Sequence, residues 1–375
     1  MSRQEISDNL IFEMLRGSQA YGTNTPESDN DYGGICMPSL DVLVGIKTFE
    51  QDDKGWFEDG EEVDKTVYGF NKAIELMLNN NPNMLDYLCG PERCILHITD
   101  AWERVRDIKD SFISLQTKHS FHGYAMQQLS RMETHRAYLL NPVNEPDRKD
   151  FDLGSEPIFP QSQLEVIANI STSYVDELDR DDFYNDMAFL LDRDGSQIFK
   201  EYIPIDYYER AIRLFKVRQK EFLRMISSID KVFLNEKYIN VAQNELKFMA
   251  AYENWKRYNS WKKNRNESRQ KLEAKCGYDS KHAMHLLRLL RMSVEILEGK
   301  GILVDRTGID ADELLNIRLG NVPYDHVMQL SKDLKDRATE LYKTSTLPVK
   351  PDSDVVNNLR RELLSEHTES LLKAR

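Results

Sequence analysis

Gly17-Ser18, ten further residues, then Asp29-Asn30-Asp31 make up the segment whose residue types and order could do chemistry. A glycine lets the backbone approach a bulky ligand with no side chain in the way. Ser18 adds a hydroxyl and an amide, and the small residues after it can open a helix, whose free amides and dipole favour phosphate. Asp29 and Asp31 are one residue apart, so at a strand start both carboxylates point to one face. Such carboxylates repel each other unless a cation lies between them. Mg2+ suits this, because it takes oxygen ligands at about 2.0–2.1 Å and shares coordination with substrate phosphates. A third carboxylate would complete a two-metal site, with ions about 3.5–4 Å apart acting on the attacking and leaving oxygens. Asp64, in Glu-Glu-Val-Asp-Lys-Thr-Val-Tyr, is placed to supply it from a neighbouring strand and to take the proton of an attacking hydroxyl. Glu62 would share its strand face and is the rival. Taken alone, Gly-Ser carries no information and Asp-x-Asp is usually turn chemistry. The ordered combination is far more specific.

These groups need a small sheet to hold them. Residues 10–16 read as a buried strand ended by Gly17, residues 19–30 as a turn-rich segment, and Asp31 to Met37 as a second strand closed by Pro38. Residues 52–61 read as a hairpin loop and Glu62 to Tyr68 as a third strand. Phe70, Ile74, Met77 and Leu78 follow at helical spacing, and Asn79-Asn80-Asn81-Pro82 stops that helix. Beyond about residue 100, long amphipathic patterns replace strand alternation. Helices are expected over roughly 101–117, 121–140, 162–176, 205–232, 237–258, 279–299, 310–319, 323–343 and 352–373, with an irregular excursion over 141–161. The expected class is α+β: a catalytic domain over 1–100 and a larger, mostly helical domain over 101–375, whose basic helix at about 279–299 faces the active site.

The 375 residues carry a net charge of −13, which argues against a general nucleic-acid coat but leaves room for a local basic site. Four cysteines without a second close pair read as free thiols of a reducing cytosol. With no apolar leader and no run near the roughly 20 apolar residues of a membrane span, the chain reads as soluble and cytoplasmic. His119, His122 and His135 lack Cys or His partners at metal spacing and read as structural. Walker A, Gly-x-Gly-x-x-Gly and hydrolase serine motifs are missing from the sequence.

A second group of interest lies near the C-terminal end. On a helix, Lys281, His285 and Arg288 fall at i, i+4 and i+7, on one face, with Arg291 beside Arg288. Lys281 and Arg288 could hold a triphosphate, and His285 could bind phosphate or move a proton. A structural alternative is that these arginines bridge acidic neighbours such as Glu295. From residue 255 to 291 there are eleven Lys and Arg against three acids, so 11 − 3 = +8, mixed with Trp255, Tyr258 and Trp261. That composition suits phosphate contact and base stacking on RNA. Its bland counterparts are a solvated charged face and tryptophans buried in a core.

The extended segment Leu15-Arg-Gly-Ser-Gln-Ala-Tyr-Gly22 through Ser28-Asp-Asn-Asp-Tyr-Gly-Gly34 resembles the active-site signature of the DNA polymerase beta superfamily. More closely, it is similar to the RlaP-type nucleotidyltransferases named for association with RNA ligases. Further matches are Asp64-Lys-Thr-Val-Tyr68 with Asn81-Pro-Asn-Met-Leu85, Gly277-Tyr-Asp-Ser-Lys-His-Ala-Met-His through Met292, and Glu313-Leu-Leu-Asn-Ile-Arg318 with Gly320. The resemblance implies a mixed-sheet nucleotidyltransferase domain, Mg2+, an NTP donor with ATP foremost, and Asp29, Asp31 and Asp64 as the metal triad. Gly17 and Ser18, with Lys281, His285 and Arg288, are the expected nucleotide-binding residues. The expected reaction moves an NMP to a hydroxyl, favouring an RNA end. A protein hydroxyl, in a toxin–antitoxin or phage-defence setting, and a non-catalytic nucleotide or RNA sensor are the alternatives.

Overall fold

The computed structural model describes residues 1–26, 28–45, 47–58, 61–155, 223–224, 227 and 236–373. The expected helix over 162–176, most of that over 205–232, and the last residues of the 141–161 excursion lie outside them.

Strand β1 (Leu10–Arg16) is antiparallel to both β2 (Asp31–Cys36) and β6 (Ile95–Ile98), while β2 runs parallel to β5 (Glu61–Gly69). With β3 (Gln51–Asp52) beyond β5, the order is β3-β5-β2-β1-β6, and β4 (Trp56–Glu58) also pairs with β5. This is the mixed sheet that the family resemblance implied. Residues 56–58, expected to be loop, instead form the first arm of a hairpin with β5; Trp56 is buried there against Ile6 of α1 (Arg3–Asp8), Cys36 and Val67. A buried aromatic on a strand face outweighed the turn-like Asp-Asp-Lys-Gly that precedes it.

Helix α2 (Ser18–Tyr21) follows β1 directly and α3 (Leu40–Val44) follows β2. Helix α4 (Phe70–Leu78) buries Phe70, Ile74 and Met77, as the spacing requires. The Asn79-to-Pro82 breaker also starts a helix that the sequence reading missed, α5 (Pro82–Cys89). The Asn81 side chain accepts a hydrogen bond from the Met84 amide, and Pro82 takes the first helical position, where its missing N–H is no loss. The expected helix over 101–117 is shorter, α6 (Asp100–Asp107) followed by a 3-10 turn, and α7 spans Gln116–Leu140.

Helix α8 (Glu236–Lys263) is followed by α9 (Glu267–Cys276), α10 (Ser280–Leu297), α11 (Ala311–Arg318), α12 (Tyr324–Thr344) and α13 (Ser353–Lys373). Helix α10 is buried nearly all round and packs on α7, α11 and α12. By contacts the chain divides at other places than residue 100: residues 1–140 and 266–375 make one compact unit and 141–265 another. The sheet therefore shares one unit and one continuous core with α7 and α10, in which Phe12 stacks on Trp102 at 5.2 Å. Among the described residues no helix is long and apolar enough to cross a membrane.

Candidate active site

Strand β1 ends at Arg16, and the chain turns through Gly17 with φ +64° and ψ −134° into α2. The backbone angle demands glycine here, and a β-carbon on Gly17 would lie 2.7 Å from Asp31 Oδ2, so the carboxylate would have to move aside. Gly22 closes α2 at φ +70°, and a β-carbon there would strike Thr307 Oγ1 at 2.4 Å. Arg93 fixes the far end of this short helix, with Nη1 donating to the Gln19 carbonyl at 2.7 Å, while Gln19 Nε2 donates to Asn30 Oδ1 at 3.1 Å. The Gly-Ser turn and the Asp-x-Asp segment are thus tied to each other across ten residues.

Strand β2 begins at Asp31. Its antiparallel partner is Arg16 and its parallel partner is Asp64. Neighbouring strands lie about 4.8 Å apart, which brings the two carboxylates together on one face. Glu62 faces Phe57 of β4 instead, so the register makes Asp64, not Glu62, the neighbour of Asp31. Arg16 donates to Asp64 Oδ1 at 2.9 Å and reaches Thr66 Oγ1 at 3.4 Å. Burial pushes the Asp31 carboxyl above its ordinary value; the Asp64 and Asp29 charges add to this and those of Arg16 and Lys281 oppose it. Burial pulls Arg16 down, yet Tyr87, Asp64 and Asp31 hold its guanidinium above its ordinary value. The site is therefore a crowded set of carboxylates held by positive charge. Carboxylate oxygens are the donors that a hard divalent cation takes, although among the described residues the oxygens of Asp29, Asp31 and Asp64 do not all lie within 4.8 Å of one another.

In front of Asp31 opens a cleft of about 430 Å³, lined by Ser18, Asp29, Asp31, Ser280, Lys281 and Arg318, among others. Negative groups stand on the sheet side and positive groups on the side of α10 and α11. Arg318 donates to the Thr23 carbonyl at 2.6 Å and to Ser28 Oγ at 3.1 Å, and its own carbonyl accepts from Ser280 Oγ at 2.7 Å. Arg318 and Arg16 are the site residues that the sequence reading left without a role. Both stood inside matched segments, and only their cross-chain neighbours reveal what they do. Asp64 does not line the cleft; its side chain is 66% exposed at the sheet end.

The structure brings Lys281 to the cleft but not His285 or Arg288. Arg288 is buried, its guanidinium carbon 3.7 Å from the centre of the Tyr21 ring and Nη1 3.8 Å from Asp86 Oδ2. The Tyr21 hydroxyl donates to the same Asp86 oxygen at 2.5 Å. His285 meets the Tyr21 ring edge-on at 6.3 Å. Burial first, then the charges of Arg288, Lys281, His282 and Arg318, drives His285 well below its ordinary pKa, which leaves it neutral. The i, i+4, i+7 face is real, but after its first turn it passes beneath α2 instead of remaining at the surface. Glu295 pairs with Arg306 at 2.6 Å rather than with Arg288, and Arg291 pairs with Asp310 and Glu313, each at 2.7 Å. Arg288 and Arg291 are thus not free to act as surface cations, and Lys271 pairs with Glu267 at 3.0 Å. His135, read as having no metal-spaced partner, lies beside Asp279 and His282; the fold supplied partners from 144 residues away.

Residues 2–141 match the family described as "RlaP: RNA repair pathway DNA polymerase beta family". The chain is also 29% identical over 122 residues to an "Uncharacterized 38.9 kDa protein in nrdC-mobD intergenic region" of Enterobacteria phage T4, covering 31% of this chain and 36% of that one. It therefore spans about a third of the length of the curated relative it matches. No solved structure matches. The matched stretch, residues 2–141, is the one that carries Gly17, Ser18, Asp29, Asp31 and Asp64, so the similarity to that family falls on the candidate site itself.

Proposed function

We propose that this chain transfers a nucleoside monophosphate from an NTP to a hydroxyl group, with ATP the first donor to test and an RNA end the favoured acceptor. The observation that carries this reading is the register Arg16–Asp31–Asp64 across three strands, set against Gly17 and opening on a cleft with Lys281 and Arg318 opposite. The attacking oxygen forms a bond to the α-phosphorus, the bond from that phosphorus to the bridging oxygen breaks, and pyrophosphate leaves. Asp64, the most exposed of the carboxylates around Arg16, accepts the proton of the hydroxyl. Bound Mg2+ would supply charge neutralisation on the phosphates and hold the reacting oxygens in line. Asp29, Asp31 and Asp64 are the residues that would hold it. Lys281 and Arg318 neutralise the triphosphate, and Gly17 with Ser18 lets its phosphates approach the backbone. Catalysis of this kind is positioning and electrostatics, which a rigid sheet edge provides.

The RNA acceptor is supported by α8, where Phe248, Tyr252 and Trp255 follow one another with ring separations of 5.9 and 5.3 Å. Lys256 lies over Tyr252 at 4.6 Å and Arg265 over Trp261 at 4.2 Å. Aromatic rings interleaved with cations suit single-stranded nucleic acid. The test is incubation with each α-³²P-labelled NTP, Mg2+, total RNA and a protein lysate, beside an Asp29→Ala/Asp31→Ala control. Label in RNA that needs both aspartates is the expected result. Label in protein would move the acceptor, and no label with Mg2+-dependent nucleotide binding retained would favour a sensor.

A further inference from the structure

We infer that His135, Asp279 and His282 form a zinc site at the start of α10, separate from the carboxylates at the sheet edge. His135 stands on α7 and the other two at the N-terminus of α10, so the packing of these helices creates the cluster. One ligand atom from each residue lies within 4.8 Å of the other two. His135 Nδ1 is 2.8 Å and His282 Nε2 3.6 Å from the same oxygen, Asp279 Oδ2. Two imidazoles and a carboxylate are a donor set that Zn2+ takes, with a fourth position left for water. Bonds of about 2.0–2.1 Å in a tetrahedron separate ligand atoms by about 3.4 Å, so small side-chain rotations reach that arrangement.

A second observation points the same way. His282 Nδ1 is 2.7 Å from Gln128 Oε1, a carbonyl oxygen that can only accept. A hydrogen on Nδ1 would donate to that oxygen, which leaves Nε2 as the ring nitrogen turned towards Asp279 Oδ2. That nitrogen and Asp279 Oδ2 stand 3.6 Å apart, a pair that either a proton on the ring or a metal ion between them would satisfy, and the zinc titration separates the two. A metal-ligating histidine that donates its other N–H to a carbonyl is the usual outer-shell pattern, and Gln128 fills that place. Asp279 is fully buried and its other oxygen, Oδ1, accepts from the His282 amide at 3.1 Å, so the carboxylate is already held in one orientation. The His135 and His282 side chains remain 20% and 16% exposed, which leaves a route in for an ion. The site immediately precedes Ser280 and Lys281. Zinc there would clamp α7 to α10 and fix the helix end that carries Lys281 into the cleft.

The experiment uses the full chain without a histidine tag, titrated with Zn2+ against a chromophoric chelator and checked by elemental analysis. One zinc per chain is expected. Both His135→Gln and His282→Gln should weaken it at least about 100-fold, and Gln128→Ala about 10–100-fold. Asp29→Asn with Asp31→Asn should leave it unchanged. Less than stoichiometric zinc in the parent chain, or binding that survives both histidine changes, overturns the proposal. Should a histidine variant fail to fold, Co2+ added to the parent chain decides: a visible absorption band of tetrahedral nitrogen–oxygen ligation supports the site, and its absence refutes it. None of these readouts involves nucleotide transfer, so failure of either reading is distinguishable from failure of the other.

Discussion

Two regions of one helix face behave oppositely. Lys281, in the first turn of α10, reaches an open cleft with Asp29 and Asp31 across it. Arg288, two turns later on the same face, is 3% exposed and spends its charge on Tyr21 and Asp86. At the cleft, like charges are crowded and a cationic ligand or a phosphate can join them. Beneath α2, the charges of Arg288 and Asp86 face each other at 3.8 Å. A helical repeat identifies a face, and the neighbour that covers part of it decides which residues on that face can act on a ligand.

The comparison breaks most visibly at the cleft. Asp31→Asn should lower nucleotidyl transfer by about 10³-fold, since it removes an oxygen that would bind the cation at the centre of the charge change. Its stability should hold or rise, because burial and the neighbouring carboxylates already press Asp31 towards its neutral form. Single-turnover kinetics beside urea denaturation check both halves. Lost stability with unchanged turnover would make Asp31 a structural residue.

Arg288→Met should do the reverse. Removing one partner of a buried charge pair leaves Asp86 uncompensated and costs about 3–5 kcal/mol, read by denaturant unfolding. Pairing it with Asp86→Asn should recover much of that loss, because both charges are then gone. If the single change instead raises the KM for NTP at constant stability, Arg288 reaches the phosphates after all. Gly17→Ala sits on the border of the two regions: φ of +64° costs a side chain about 1–2 kcal/mol, and the contact with Asp31 Oδ2 should carry that strain into turnover. Loss of stability alone would uncouple the turn from the carboxylate.

Much of this was legible in the residues. Strand β1 spans the expected residues 10–16, and the pairing of β2 with β5 puts Asp64, one of the two candidate carboxylates, in register with Asp31. What stayed hidden depends on distant pairing. Arg16 is an ordinary strand residue until Asp31 and Asp64 flank it, and Arg318 is an ordinary last-turn arginine until Thr23 and Ser28 meet it. His135 has no Cys or His at metal spacing nearby in the sequence, and its neighbours Asp279 and His282 arrive only through helix packing. Helix α5 was missed because its cap and its proline spell a stop as readily as a start.

The finest test of the buried layer is its pH response. An unfolded chain protonates His285 near its ordinary value of 6.5, whereas the folded chain holds it neutral well below that. As pH falls below about 6.5, the unfolded state takes a proton that the folded state refuses, so stability present at higher pH is progressively lost. The slope from one such group is at most about 1.4 kcal/mol per pH unit. His122 and His367 are depressed by burial in the same way and contribute their own share. His285→Gln should therefore flatten the fall in stability between pH 7 and 5 without abolishing it, as measured by urea unfolding across about that range. An unchanged slope would mean that folded His285 takes up the proton readily. It would then stand with Lys281 as a group able to meet phosphate, and the line between cleft and buried layer would have to be redrawn one turn further along α10.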